Sequence, residues 1–198
     1  MTSKTDERRN NLRTRLIEIA EEVITAKGLS AIRARDLAKQ AGCSVGAIYT
    51  VFDDMEKLTM QVNGRTFKRL GAKVAGAIEG MDQAPPTERL IALALAYLDF
   101  ARENTRTWNA LFNLRMSRES EIPAWYLSEL TTLFAHISKP VGELRPDLDK
   151  NTLILLTRGL FSSVHGIVLL GLQHRISGIP PKDLPKMITL ILSNLTQK

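Results

Sequence analysis

Apolar residues recur along the whole chain at the spacing of α-helices, and no segment alternates cleanly between apolar and polar residues as a strand does. Between Leu12 and Ile24 the apolar positions fall at i, i+4, i+7, i+8, i+11 and i+12, which places them on one helix face. The pattern predicts an all-α fold of about nine helices. The expected helices span 8–27, 34–41, 45–52, 54–80, 87–103, 105–116, 123–138, 148–175 and 183–196.

Glycine, proline and small polar residues mark where these helices begin and end. Gly28 and Gly42 are expected to end the first two helices, because glycine accepts the left-handed backbone needed just past a helix. Ser44 is the expected N-cap of the next helix, and Pro140 is expected to bound a loop. Two helices separated by a glycine-containing turn over 34–52 have the outline of a helix-turn-helix.

The net charge of +6 is concentrated in the first part of the chain. Residues 1–75 hold 14 Lys/Arg and 9 Asp/Glu, a net +5, whereas residues 76–198 hold 13 and 12, a net +1. A basic segment indicates a polyanionic partner, nucleic acid or an anionic membrane, although a solvated surface explains the charge equally well. The lone Cys43 excludes an internal disulfide and fits a reducing cytosol.

Residues 17–58 resemble the N-terminal domain of TetR-type transcriptional regulators. The matching features are Lys27-Gly28, ArgAspLeuAla at 35–38, AlaGlyCysSer at 41–44, GlyAlaIleTyr at 46–49, and Phe52. The C-terminal part, through Trp108 with Leu111-Phe112 and through 160–166, resembles a subgroup whose ligand domain carries a Trp, His and Gly signature.

The resemblance implies a dimeric, cytoplasmic DNA-binding regulator, most often a repressor that a small molecule releases from its operator. It divides the chain into a helix-turn-helix DNA-binding domain over 1–53, a connecting helix with a linker over 54–86, and a ligand-binding and dimerisation domain over 87–198.

Groove chemistry and the resemblance together indicate the residues that meet DNA. A recognition helix presents small or polar residues at its N-terminal end, and Val45 or Ala47 can contact a thymine methyl group. The resemblance assigns Tyr49 to a phosphate, although a half-buried core tyrosine is the alternative. The predicted DNA-binding residues are Arg33, Arg35, Ser44, Val45, Gly46, Ala47, Tyr49, Thr50 and Lys57.

Two positions depart from the pattern of the family. Arg33 stands where the family often has a threonine N-cap, and a guanidinium cannot accept the capping hydrogen bond. Met55 stands where the family often has a phosphate-binding lysine, so Lys57 is the expected substitute from the next turn.

Aromatic residues of the C-terminal part are candidates for an effector pocket, because such pockets are mostly apolar with a few polar groups. The expected effector is an apolar or amphipathic small molecule. Packing is the favoured explanation for most of these aromatics, and for His165 as a hydrogen-bonded core residue, so only a few are expected to line a cavity. The predicted ligand-binding residues are Tyr97, Trp108, Phe112, Trp125 and His165.

The segment 152–172 is long and apolar enough to approach the length that spans a bilayer. Arg158 and His165 lie inside it, and ionisable residues at such positions are costly in lipid. We therefore expect a helix buried partly by a twin subunit, giving a symmetric homodimer through 152–172 and 183–196 and a palindromic operator. A membrane-associated protein is the less favoured alternative.

No phosphate-binding loop, nucleophile elbow, dinucleotide fingerprint or paired-carboxylate motif is present in the sequence. The three histidines, His136, His165 and His174, do not have metal-ligand spacing. We therefore expect no enzyme activity, no cofactor and no metal. A constitutive DNA-binding protein without an effector is the second hypothesis.

Overall fold

The computed structural model describes residues 4–113, 122–176 and 178–196, and these residues form helices without strands. The nine α-helices of this part of the chain are α1 (Lys4–Lys27), α2 (Ala34–Ala41), α3 (Val45–Phe52), α4 (Met55–Ala77), α5 (Pro86–Glu103), α6 (Thr105–Asn113), α7 (Ala124–Leu144), α8 (Lys150–Leu172) and α9 (Leu184–Thr196). The all-α class and the number of helices are as the sequence predicts.

Local signals in the sequence set the boundaries of the first helices. Gly28 follows α1 with φ of 83°, and Gly42 follows α2 in the left-handed conformation, with φ of 66° and ψ of 38°. The Ser44 hydroxyl accepts a hydrogen bond from the Ala47 backbone N–H at 3.2 Å, which confirms it as the N-cap of α3.

Two units divide the chain, and each is built from two separate stretches. The first unit comprises Met1–Lys68 with Asn104–Leu127. In this unit α1 packs against α2, α3 and α6. Its core consists of buried aliphatic and aromatic side chains, including Leu16, Ile24, Leu37, Ile48, Phe52, Leu58 and Val62.

The second unit comprises Arg69–Glu103 with Ser128–Lys198. Here α5 packs against both α8 and α9, and α8 packs against α9. Asp149 caps α8, because its carboxylate accepts hydrogen bonds from the Asn151 and Thr152 backbone N–H groups at 2.9 and 3.2 Å. The division of the chain at 53 and 86 stays a prediction from the sequence.

The expected end of the helix that begins near residue 123 is wrong. The pattern predicts an end at 138, before Pro140, but α7 continues through Pro140 to Leu144. Pro140 and Val141 are buried, and Glu143 pairs with the guanidinium of Arg89, so tertiary contacts hold the last turn in place. These contacts offset the backbone hydrogen bond that the proline cannot donate.

Other helix ends differ from the expected ones by a few residues. Helix α4 ends at Ala77 and α8 at Leu172, three residues short of the expected ends in each case. Helix α6 is described to Asn113, and the expected continuation to 116 lies outside the described residues.

Helix α8 is, within the described ranges, the one helix long and apolar enough to cross a membrane. Only a small share of its most apolar stretch is buried inside the chain. Its exposed apolar side chains include Ile154, Leu155 and Leu170, and Leu155 keeps 70% of its surface exposed. This helix therefore leaves an apolar face uncovered in the single chain.

Candidate nucleic-acid interface

Helix α3 has one buried face and one exposed face. Ile48 has none of its surface exposed, and Val51 and Phe52 are also buried, so these three anchor the helix in the core of the first unit. Ala47 is half-buried. The exposed residues at its start and along its outer face are Ser44, Val45, Gly46, Tyr49 and Thr50. The structure thus brings these predicted DNA-binding residues together on one accessible surface.

Two hydroxyl groups on this surface already have local partners. The Ser44 hydroxyl caps the helix, and the Thr50 hydroxyl donates to the Gly46 carbonyl at 3.0 Å. Tyr49, which does not belong to the buried face of α3, is 44% exposed. Tyr49 is therefore accessible from solvent, and a tyrosine hydroxyl can donate a hydrogen bond to a phosphate oxygen.

Arg33 and Arg35 lie at the start of α2, and both are exposed. Arg33 occupies the N-cap position and makes no side-chain cap, as the sequence predicts. Its guanidinium donates instead to the backbone carbonyls of Ser30 and Ile32, at 2.7 and 2.8 Å. These bonds fix the turn before α2 and keep a positive charge at the surface.

The turn between α3 and α4 is tight and charged. Asp53 has φ of 60° and ψ of −48°, and the Asp54 N–H donates across it to the Phe52 carbonyl at 2.6 Å. The Asp54 carboxylate accepts from the Lys57 backbone N–H at 2.6 Å, which caps α4.

Lys57, the expected phosphate contact, has a partner within the protein. Its ammonium lies 2.9 Å from the Asp53 carboxylate. The hydrogen bond from Lys57, together with its charge, lowers the pKa of Asp53 below its ordinary value. A phosphate contact by Lys57 would have to compete with this ion pair, which is solvent-exposed and therefore weak.

The sequence did not reveal that three arginines of α1 reach the helix-turn-helix. Arg9, Arg13 and Arg15 donate to the backbone carbonyls of Thr50, Val51 and Gln40. The sequence shows only that these arginines lie outside the apolar stripe of α1, a position equally typical of a solvated face or of an arm on phosphates.

In the second unit, two of the predicted ligand-binding residues are in contact. The Tyr97 hydroxyl and His165 Nδ1 are 2.7 Å apart. The Phe161 ring stacks on the His165 ring with centroids 5.6 Å apart, and Phe134 packs edge-on against Phe161. Burial lowers the pKa of His165 below its ordinary value.

The other three predicted ligand-binding residues belong to the first unit. Trp108 has none of its surface exposed and packs edge-on against Phe112, with ring centroids 5.5 Å apart. Trp125 lies so close to Gly64 that a Cβ there would stand 2.8 Å from the indole ring. Two of the five candidates thus lie in contact in the second unit, and the other three lie in the first unit.

No group of three or more His, Cys, Asp and Glu side chains suited to a metal ion occurs among the described residues. Cys43 is half-buried in the turn of the helix-turn-helix and packs against the core of the first unit.

Two family descriptions match the chain. Residues 16–62 match the bacterial regulatory proteins of the tetR family, and residues 90–195 match the tetracyclin repressor-like C-terminal domain. The second match covers more than half of the chain, and the first covers the helix-turn-helix.

Individual proteins agree with these matches. Over 90 residues the chain is 33% identical to the uncharacterized HTH-type transcriptional regulator Rv1255c of Mycobacterium tuberculosis, and the match covers 46% of this chain and 44% of that protein. The chain therefore matches under half the length of this relative. It is 26% identical over 145 residues to the HTH-type transcriptional repressor KstR2 of Rhodococcus jostii, covering 69% of this chain and 70% of that protein.

A solved structure shows the same fold. RolR in complex with its ligand resorcinol superposes with a TM-score of 0.68 at 18% identity, covering 96% of this chain and 89% of the RolR chain.

Proposed function

Because the chain belongs to the TetR family of transcriptional regulators, we propose that it is a repressor which reads double-stranded DNA through α3 and is released by a small effector. The observation that carries the proposal is the exposed surface of α3, whose opposite face is anchored in the core by Ile48, Val51 and Phe52. A regulator with these properties acts in the cytoplasm, where the DNA is.

The exposed residues of α3 divide into two roles. Val45, Ala47 and Thr50 face the bases, because a short recognition helix enters the major groove by its N-terminal end. Tyr49 contacts a phosphate, together with the charged groups of Arg33, Arg35 and Lys57 around the helix-turn-helix. Phosphate contacts fix the register of the protein on DNA, and base contacts select the sequence.

The protein acts as a homodimer through α8 and α9. Both helices carry exposed apolar side chains, among them Leu155 and Leu170 on α8 and Leu190 and Leu195 on α9. A Cβ added at Gly159 or Gly166 would meet nothing within 4 Å, so α8 has room for a close neighbour. A two-fold dimer places two recognition helices about 34 Å apart, in successive major grooves of a palindromic operator.

The effector is apolar or amphipathic. In the second unit, the half-buried rings of His165 and Phe161, with the buried Tyr97 hydroxyl bonded to His165, form an aromatic cluster that contains hydrogen-bonding groups. RolR, which shares the fold, is solved with the aromatic diol resorcinol, a ligand of this chemical class. In the first unit, Phe112 and Trp125 are further candidates, since both rings are partly exposed.

Release follows if the effector favours a dimer with the wrong spacing of its recognition helices. A preference of about 2.7 kcal/mol lowers the affinity for the operator roughly a hundredfold. Linkage requires that operator DNA weaken effector binding by the same factor. Quenching of the two tryptophans, with and without operator, measures this reciprocity.

A constitutive DNA-binding protein without an effector is the second candidate. The observation that favours it is the complete burial of Trp108, which leaves no indole surface for a ligand. A screen of apolar and aromatic compounds decides between the two. A compound that quenches tryptophan fluorescence and releases DNA supports the repressor, and DNA binding insensitive to every compound supports the constitutive protein.

Selection of bound DNA from a random pool tests the DNA-binding proposal itself. We expect enrichment of one two-fold symmetric sequence with half-sites about one helical turn apart. Recovery of random sequences after several rounds would contradict the proposal.

A further inference from the structure

The last turns of α2 and α3 expose backbone carbonyl groups that have no partner within their helix, as at every helix C-terminus. At the end of α3 the Asp53 N–H bonds to the Tyr49 carbonyl, and the Asp54 N–H turns back to Phe52. The carbonyls of Thr50 and Val51 lie between these two bonds and need other donors.

Three arginines of α1 supply donors to these helix ends. Arg9 Nη2 lies 3.1 Å from the Thr50 carbonyl, Arg13 Nη1 lies 3.5 Å from the Val51 carbonyl, and Arg15 Nη2 lies 3.3 Å from the Gln40 carbonyl at the end of α2.

The Arg13 guanidinium also lies over the Phe52 ring, 4.8 Å from its centroid. This cation–π contact holds Arg13 in place although its hydrogen bond is long. A positive charge at these positions is favourable, because the C-terminal end of a helix carries partial negative charge.

We propose that Arg9 and Arg13 are positioning residues, which hold the C-terminal end of the recognition helix on α1 and so set its angle for base contacts. Arg15 does the same for α2. The inference rests on the proposed reading of DNA by α3 and adds a role for residues that lie outside that helix, on α1.

Phosphate binding by the same arginines makes a different prediction. A phosphate contact strengthens binding to every DNA sequence. It also makes the negative slope of log K against log salt steeper by about 0.9. A positioning contact raises the preference for the operator over other DNA and does not change that slope.

Amide hydrogen exchange on the 198-residue chain without DNA tests the contact itself. Substitutions Arg9→Met and Arg13→Met are compared with Arg8→Met. The Arg8 side chain has no hydrogen bond or ion pair among the described residues, so this variant removes the same charge without removing such a contact. We expect the Asp53 and Asp54 amides to exchange about fivefold faster in each test variant, the loss of about one net hydrogen bond, and unchanged in Arg8→Met. Exchange equal to wild type would overturn the proposal.

Binding to the selected operator and to a scrambled duplex tests the consequence for recognition. We expect the ratio of the operator affinity to the scrambled-duplex affinity to be about tenfold lower in the double variant Arg9→Met/Arg13→Met than in wild type. The slope of log K against log salt should be the same in the double variant as in Arg8→Met. Arg9→Lys, which keeps a hydrogen-bond donor and a positive charge, should show a higher ratio of the two affinities than Arg9→Met. If the double variant loses affinity equally for both duplexes, and its slope of log K against log salt is shallower by about two, phosphate contacts explain the result and the proposal is overturned.

The two measurements separate the inference from its premise. If wild type shows no preference for any DNA sequence, the proposed function fails. The hydrogen exchange of Asp53 and Asp54 still decides whether the arginines hold the end of α3.

Discussion

At the scale of single residues, Asp53 fixes the turn between α3 and α4 in a conformation that only glycine adopts easily. Its φ of 60° with ψ of −48° costs a residue with a Cβ of the order of 1–3 kcal/mol. We expect Asp53→Gly to unfold at higher urea concentration than Asp53→Ala, with a difference of about 1 kcal/mol in the free energy of unfolding. Both variants lose the ion pair with Lys57, so the comparison isolates the backbone. Equal stability of the two would show that the turn relaxes.

His165 makes the stability of the second unit depend on pH. Its pKa lies below the ordinary value of 6.5 because burial disfavours the charged ring, so the folded chain binds fewer protons than the unfolded chain. The contribution of His165 to the free energy of unfolding is therefore complete above pH 6.5 and is lost as the pH falls through the lowered pKa.

We expect wild type to lose more stability between pH 7 and pH 5 than His165→Asn does. Urea unfolding at several pH values measures the difference, and His174→Asn, at an exposed site, is the control that should follow wild type. The pKa of the Asp53 carboxyl group lies below its ordinary value of 3.8, so the contribution of Asp53 to stability is lost only near or below pH 3.8, outside the range from pH 7 to pH 5. Parallel pH dependence of wild type and His165→Asn would contradict the account.

At the scale of helices, the sequence predicts best where the signal is local. The bounds of α2 and α3 follow from Gly42 and Ser44, whose effects act within a few residues. The end of α7 could not be predicted, because Pro140 is held by burial and by the ion pair of Arg89 with Glu143, 54 positions away.

Long-range contacts also explain why the sequence does not show which groups the α1 arginines meet. Arg9 reaches a carbonyl 41 positions along the chain. The sequence shows that Arg9 lies off the apolar face of α1, but not which group it meets. Contacts of this kind depend on how α1 packs against α3.

The packing of α8 on the first residue of α9 and on the segment before it depends on a glycine at the end of α8. A Cβ at Gly171 would stand 2.5 Å from a methyl group of Leu184, which is fully buried, and 3.1 Å from the Ile179 carbonyl. We expect Gly171→Ala to lower the free energy of unfolding by about 1–3 kcal/mol through overpacking. Gly76→Ala is the control in thermal unfolding, because its Cβ would meet nothing within 4 Å. A Gly171→Ala protein as stable as that control would contradict the packing.

At the scale of the whole molecule, the proposed dimer has a direct test in α8. A Cβ at Gly166 meets nothing within 4 Å in the single chain, so Gly166→Leu should fold normally while a bulky side chain blocks the close approach of a second α8. We expect sedimentation of wild type at micromolar concentration to give twice the chain's 22.1 kDa and Gly166→Leu to shift toward the single chain. Wild type at 22.1 kDa would contradict the dimer.

The candidate sites differ in how far the sequence could locate them. The exposed row on α3 follows from a short helix whose apolar residues must face the core, so Tyr49 and Thr50 could be placed from the sequence. The ligand candidates could not be grouped, because a helical pattern does not show which helices meet. Trp108 is completely buried, whereas His165 is hydrogen-bonded to Tyr97 in the other unit.

The central claim, that α3 reads DNA bases, is tested most directly by repeating the selection from random DNA with variants of that helix. We expect Thr50→Ala and Val45→Ala to enrich sequences that differ from the wild-type sequence at one position in each half-site, symmetrically. Tyr49→Phe, which removes a hydroxyl and no base contact, should enrich the wild-type sequence with weaker affinity. An unchanged sequence from both Thr50→Ala and Val45→Ala, with a new one from Tyr49→Phe, would contradict the account.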